Sequence, residues 1–290
     1  MLNLTEIFCT VDDFCQKFMP EFERKLLCSS TRKRNKPCRM SASEIMTIVI
    51  CFHQSNYRDF KSYYTRYVKI HLNEYFPKLV SYNRFVEIQQ SIILPLSFFI
   101  ESYQKTMTGI YFIDSTPIKV CHVKRALSNR VFKGIAEKSK STMGWYMGLK
   151  LHIIINDKGD LMAFNITKST TDDRKPVAKM SKGLLGSLFG DKGYISKKLF
   201  DELYNHALKI ITKIKKNMKN KLMPLVDKIL LRKRALVESV FDQLKNISQI
   251  EHSRHRSTTN FIVNMLSGLA AYCLQPKKPS LGIEYNKRIS

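Results

Sequence analysis

A mixed α/β sheet domain preceded by an all-helical region is the architecture this sequence predicts, and three observations predict it. The first hundred or so residues carry long apolar-rich runs of helical character. After about residue 105 the apolar runs shorten and are bounded by Gly, Asn and Asp. In that second part, strand-like runs first follow one another and then alternate with helical ones, which is the pattern of a mixed sheet. At 290 residues the chain can hold one large domain or two smaller ones, and the change of texture favours two. The expected boundaries are 1–104 for the helical region, 105–275 for the α/β domain and 276–290 for a basic C-terminal tail.

The helical region is read from "SASEIMTIVICFHQSNYRDFKSYYTRYV", where Ser41 or Ser43 serves as N-cap, Glu44 follows in the first turn and a long apolar-rich run comes after. Within it Tyr57, Arg58, Phe60, Lys61, Tyr63, Tyr64, Arg66 and Tyr67 interleave rings with cations. Such a stretch either grips phosphates and stacks on bases or packs its rings inward beneath a solvated basic back. In the second part, "GIYFID" (109–114), "PIKVCH" (117–122), "GWYMGLKLHIIIN" (144–156) and "LMAFNIT" (161–167) read as strands, with "NDKG" (156–159) as the tight turn of an antiparallel hairpin. A helix start at "TDDRKPVAKM", a strand at "SLFGD", a helix at "SKKLFDELYNH", a strand at "LKIITKI" and one long helix over roughly 225–248 complete the order. There is no internal repeat and no low-complexity tract.

Lys and Arg total 49 against 24 Asp and Glu, a net charge of +25 and a pI near 9.8. An excess of this size points to a polyphosphate partner, that is, nucleic acid. The N-terminus carries Glu6, Asp12 and Asp13 and no basic segment, so it does not read as a secretory signal and the chain is expected to begin here. The longest apolar segments, near residues 50 and 265, fall short of the roughly 20 residues a membrane span needs. Seven cysteines, at 9, 15, 28, 38, 51, 121 and 273, contain no CxxC pair, which fits neither a disulfide framework nor a zinc ribbon and suggests a reducing cytoplasm.

Against this basic background two aspartates stand at the ends of strand-like runs, Asp114 in "YFIDST" and Asp191 in "LFGDKGY", with Gly193 read as allowing a tight turn beside the second. Carboxylates at the ends of neighbouring strands supply the hard oxygen ligands that hold magnesium or manganese. Glu238, on the long helix, flanks an apolar stripe of Val237, Val240, Phe241, Leu244 and Ile247 and is the candidate third ligand. Arg234, Glu238 and Lys245 fall at steps of 4 and 7, one helix face. Asp172 and Asp173 precede a helical run and read as N-capping acids. Adjacent Cys121 and His122 lack zinc spacing; His252 and His255 read either as backbone contacts to DNA or as a polar loop; Trp145 reads as core, with base stacking the other use. Lys124, Arg125, Arg130, Lys133, Lys138 and Lys140, with "KIKKNMKNK" (213–221) and "RKR" (232–234), form a basic track around the carboxylates.

Taken together, "FIDSTPIKVCH", "VFKGIAEKSKSTMGWYMGLKLHIIINDKGD", "GDKGYISKKL" and "ALVESVFDQLKNISQIEHSRHRS" resemble bacterial insertion-sequence transposases of the DDE class, most of all the insertion sequence 982 family. The similarity runs over nearly the whole chain, including "SEIMTIVICFHQSNYRDFKSYY" in the helical region. It implies a ribonuclease-H-like catalytic fold with Asp114, Asp191 and Glu238 as an acidic triad holding two Mg²⁺ or Mn²⁺ ions. Related insertion-sequence groups carry Tyr, two residues, Arg, three residues, Glu, six residues and Lys around the glutamate; Arg234, Glu238 and Lys245 match, and Leu231 stands at the tyrosine position. The implied activity is binding of terminal inverted repeats, strand cleavage and strand transfer into target DNA; the cations read as contacting the DNA are Arg234, Lys245, Lys192, Lys133 and Arg58. The implied setting is a homodimer on DNA at the bacterial nucleoid. A structure-specific nuclease or resolvase of the same fold, and a catalytically silent DNA-binding relative, are the alternatives.

Overall fold

The computed structural model describes residues 3–28, 38–103, 105–141, 144–214, 222–251 and 255–283. The basic run at 31–37, the lysine-rich run at 215–221, His252 and the tail from 284 onward lie outside the described residues.

The helical region opens with α1 (Leu4–Cys28) and α2 (Ala42–Gln54). Of the two candidate caps for α2, the structure uses Ser41: its hydroxyl accepts from the Glu44 N–H at 3.1 Å, and Glu44 reaches back to the Ser41 N–H at 2.7 Å. This reciprocal pair satisfies two of the donors a helix start leaves open. Next, α3 (Phe60–Ser62) runs through a π-helical turn (Tyr63–Val68) into α4 (Lys69–His71), and α5 (Tyr82–Ile88) runs through a 3₁₀ turn (Gln89–Ile92) into α6 (Ile93–Ser102). Tyr63 and Tyr64 are fully buried, and Phe60 and Tyr57 pack on other rings, while Arg58, Lys61 and Arg66 are exposed. Tyr63 and Tyr64 thus pack inward, and the cations of the stretch face solvent.

Six strands follow in one sheet: β1 (Ile110–Cys121), β2 (Glu137–Ser141), β3 (Gly144–Asn156), β4 (Leu161–Lys168), β5 (Gly186–Gly190) and β6 (Leu208–Thr212). β3 lies antiparallel to β1 on one side, while on the other its first half pairs β2 and its second half β4; β1, β5 and β6 run parallel. The result is a mixed sheet. The hairpin turn is as the "NDKG" reading has it: Asn156 Oδ1 accepts from the N–H groups of Lys158 and Asp160 at 3.0 and 2.8 Å, and Gly159 takes a left-handed φ of +77°. The two strands expected at 109–114 and 117–122 are one strand, β1, because β3 is long enough to pair it from Tyr111 to Cys121.

Around the sheet lie α7 (Val177–Met180), α8 (Lys197–Tyr204, capped by Ser196), α9 (Leu225–Lys233) and α10 (Ala235–Asp242). α7 and α8 contribute to an apolar core with Tyr111, Ile113, Leu188 and Ile210, while α9 packs on β5 and β6 and α10 on β1. The single helix expected over 225–248 is interrupted at Arg234 and ends in a π-helical turn over 243–247. That wider turn shifts the helical phase, so Leu244 stays buried whereas Ile247, expected on the apolar stripe, is 49% exposed.

α11 (Thr258–Cys273) is apolar almost all round and is buried on α2 and α6. The chain thus divides into a helical unit of 1–103 with 244–276, and a sheet unit of 104–243 with 277–290. The sequence predicts 244–275 to belong with the sheet; an all-round apolar helix has to be covered on every side, and other helices cover it. Residues just after 276 are more than a tail, since Lys278 pairs with Asp160 at 2.9 Å.

Candidate active site

The sheet unit brings Asp114 and Asp191 level with each other. The parallel register pairs Tyr111 with Leu188 and Phe112 with Phe189, and two further residues along each strand reach Asp114 and Asp191. Both therefore share the face on which the Phe112 and Phe189 rings meet at 5.6 Å. Asp191 follows β5 directly, as expected. Asp114 does not end its strand: it stands where the pairing to β5 has stopped while the pairing to β3 continues, so the local backbone is held on one side and open on the other.

Asp114 is largely buried. One carboxylate oxygen accepts the Ser115 N–H at 2.8 Å and the other accepts Arg234 Nη1 at 2.6 Å. Burial pushes its carboxyl above the ordinary aspartate range, the Arg234 guanidinium and the Ser115 N–H pull it back, and the Asp191 charge adds to the upward push. Arg234 reaches a second acid with its other amino group, Glu238 Oε1 at 3.4 Å. Since α9 stops at Arg234 and α10 begins after it, this one side chain at the helix break links the carboxylate of β1 with that of α10.

The turn after Asp191 is a 3₁₀ turn over Lys192–Tyr194. Gly193 needs no special backbone or space there, contrary to the sequence reading. Gly190 does: a Cβ on it would lie 3.1 Å from the Tyr194 ring and 3.2 Å from Ile113, so its hydrogen lets the tyrosine fold back beneath the strand end. Tyr194 is buried, and its phenol is pushed well up by burial and next by the Asp114 carboxylate.

On the other face of β1, Ser115 stands opposite His152. His152 is wholly buried; Nε2 lies 2.8 Å from the Thr167 hydroxyl and Nδ1 lies 3.9 Å from Asp173 Oδ1 with no hydrogen bond. Burial holds its pKa down near 4. Asp173 also takes the Lys150 ammonium at 2.8 Å, and Asp172 pairs with Arg174, which holds its carboxyl well below the usual range. The expectation that these aspartates cap a helix does not hold, because α7 begins only after Pro176 and the intervening turn directs both acids to cations. A lysine and a histidine on an interior strand, at alternate positions, were the signal available for this cluster, and it went unread.

Lys192 is exposed directly after Asp191 and Lys133 is exposed in the loop before β2. Lys124, Arg125, Arg130, Lys138 and Lys140 are exposed in the same part of the sheet unit. Trp145 is not core: it is 57% exposed near the β2 end of β3, with the Lys138 ammonium 5.0 Å above its ring. In the helical unit, Lys245 pairs with Glu251 at 3.2 Å, Arg58 is exposed and His255 packs edge-on to Phe261 at 5.2 Å.

The donor set at Asp114, Asp191 and Glu238 is entirely oxygen, which suits Mg²⁺ or Mn²⁺ and disfavours zinc. Among the described residues, however, no three His, Cys, Asp or Glu side chains converge as a metal-holding group: Glu238 is 63% exposed and Arg234 reaches both it and Asp114. No described helix is long and apolar enough to cross a membrane.

Comparison with known proteins bears on this arrangement. The family described as "Transposase DDE domain" matches residues 104–258. No curated protein sequence matches the chain. Similar solved structures include a piggyBac transposase synaptic complex with hairpin DNA, at 8% identity and a TM-score of 0.46 over 92% of this chain and 72% of that one. The Mos1 mariner paired-end complex with Mn follows at 9% identity and 0.30, over 84% and 79%, and the Mos1 strand transfer complex at 9% and 0.25, over 89% and 83%.

Proposed function

We propose, from the premise that this chain belongs to the DDE transposase family and is an enzyme of that class, that it cuts the ends of an insertion sequence and joins them to target DNA. The finer placement we infer is the insertion sequence 982 family, with a ribonuclease-H-like catalytic domain. The observation that carries the reading is the level placement of Asp114 and Asp191 on one sheet face, with the Glu238 helix packed on β1 and Arg234 joined to Asp114 and Glu238.

Asp114, Asp191 and Glu238 would hold two Mg²⁺ or Mn²⁺ ions, whose chemistry is to activate a water or a 3′-hydroxyl and to offset charge on the leaving oxygen. The chain's own contribution starts from the Ser115 N–H, which fixes the Asp114 carboxylate, and from Gly190, which lets Tyr194 support the turn that presents Asp191. Arg234 keeps the largely buried Asp114 compensated, since an unpaired carboxylate there would cost several kcal/mol. Lys192, Lys133 and the exposed cations nearby supply phosphate contacts, which makes binding strongly salt-dependent. Arg58 and Lys245 of the helical unit add to the DNA contacts, and the protein works as a homodimer on DNA at the nucleoid.

The helical unit supplies the recognition of the terminal repeats. A fragment that tests this has to include α11, because 244–276 belongs to that unit. Strand transfer distinguishes a transposase from a resolvase of the same fold: incubated with a precleaved 3′-hydroxyl end and plasmid DNA, the full chain joins the two. Cutting without joining would replace the reading with the nuclease one.

A further inference from the structure

The helical unit also holds a cavity of about 880 Å³, within the roughly 300–1,000 Å³ range of ligand sites. It is built from two distant parts of the chain, the stretch from α2 to α5 and the segment entering α11. Phe52, Phe60 and Tyr82 give it ring surfaces, and Asn83, Gln89 and Asn260 give it amides that both donate and accept. Asn260 Oδ1 is buried there without a hydrogen-bond partner among the described residues.

The charge on its wall is unbalanced. Asp59 is already engaged as the cap of α3, accepting the Ser62 N–H at 2.8 Å, and Glu87 accepts from Arg84 at 2.8 Å. Arg58, Lys61 and Arg256 are exposed on the same cavity and make no ion pair among the described residues. Arg256 is close enough to Tyr82 for its charge to act on the phenol, so the two parts of the chain meet electrostatically.

Rings, two-way amides and cations that outnumber the carboxylates Asp59 and Glu87 together match one ligand chemistry: an aromatic, hydrogen-bonding base attached to a phosphate. We propose that this cavity receives a single unstacked nucleotide of the DNA, its base on the rings and amides and its phosphate among Arg58, Lys61 and Arg256. The proposal rests on the reading of the chain as a DNA enzyme and adds a site in the helical unit for an unpaired nucleotide. An acidic peptide would use the cations but leave the rings and amides unmatched.

The test uses the full chain and three labelled duplexes: blunt, with a three-thymine overhang, and with an abasic overhang of the same charge. The thymine overhang is expected to bind roughly tenfold tighter than the abasic one, the size of one base stacking on a ring. Tyr82→Ala with Asn83→Ala, which removes a ring and an amide but no charge, brings that ratio to about one, with the fold checked by melting temperature. Equal binding of thymine and abasic overhangs, or a preference that survives the double substitution, overturns the nucleotide site. Competition by a polyglutamate peptide as effective as the overhang overturns it in favour of an acidic protein segment. Cleavage by a protein without the preference removes the cavity proposal alone, whereas no binding to any of the three DNAs removes the functional reading with it.

Discussion

His53 in the helical unit and His152 in the sheet unit are both buried, yet they spend their ring nitrogens differently. His53 Nδ1 lies 2.5 Å from the Ser248 carbonyl and Nε2 2.9 Å from the Ser267 hydroxyl. A carbonyl only accepts, so Nδ1 carries a proton, and burial holds the pKa down to about 4, which keeps the ring neutral near pH 7. One side chain thereby ties α2 to residues nearly two hundred positions away. His152 has one hydrogen bond, to Thr167, and a second nitrogen facing Asp173 across a gap too long for another. Close by in the same unit, Asp114 is kept buried beside a second acid and drawn to one arginine. His53 spends both nitrogens on tying the helical unit together, whereas the open nitrogen of His152, beside the strand that carries Asp114, costs stability.

That contrast can be tested at several strengths. Arg234→Ala should have the largest effect on stability, about 3–5 kcal/mol, because it strands a largely buried carboxylate; urea unfolding measures it, and a loss below about 1 kcal/mol would mean the pair is mere surface decoration. His53→Ala should cost about 2–4 kcal/mol, since it empties core volume and leaves the Ser248 carbonyl unpaired; His152→Ala, with a single hydrogen bond to lose, should cost less in the same assay.

Acid comes next. His53, His152 and His255 all have folded pKa values lowered to about 4 from an ordinary 6.5. The unfolded chain therefore binds more protons between those values, so stability is full above pH 6.5 and is lost as pH falls toward 4. Each histidine should contribute on the order of 1–2 kcal/mol of loss between pH 7 and 5, read as a falling melting temperature, and His53→Gln should flatten the slope. Gly190→Ala should have the smallest effect on stability, about 1 kcal/mol, yet it should lower cleavage by displacing Tyr194 and with it the Asp191 turn; unchanged cleavage would show that the turn does not depend on that glycine.

Much of the sheet unit was legible because its strands are apolar, bounded by turn residues and joined by a hairpin whose Asn and Gly have defined jobs. β2, "EKSKS", was not: a short strand made of polar residues has no apolar pattern, and only its pairing to β3 forms it. Asp191 could be placed from local sequence. Asp114 could be found but not its setting, since neither the length of β3 nor the reach of Arg234 across 120 positions leaves a local mark. The spacing of Arg234, Glu238 and Lys245 suggested one helix face, but the break at Arg234 and the π-helical turn after α10 divide it, and Lys245 pairs within the helical unit instead.

The central claim is that Asp114 and Asp191 form a working pair on neighbouring strands. Its most direct test is cleavage of a labelled duplex carrying the element's end, with Mg²⁺ or Mn²⁺, by wild type and by Asp191→Asn. Wild type is expected to cut, and the variant to bind the same DNA but cut at least roughly a thousandfold more slowly, a loss of about 4 kcal/mol in transition-state stabilisation. Equal cutting by both proteins would contradict it.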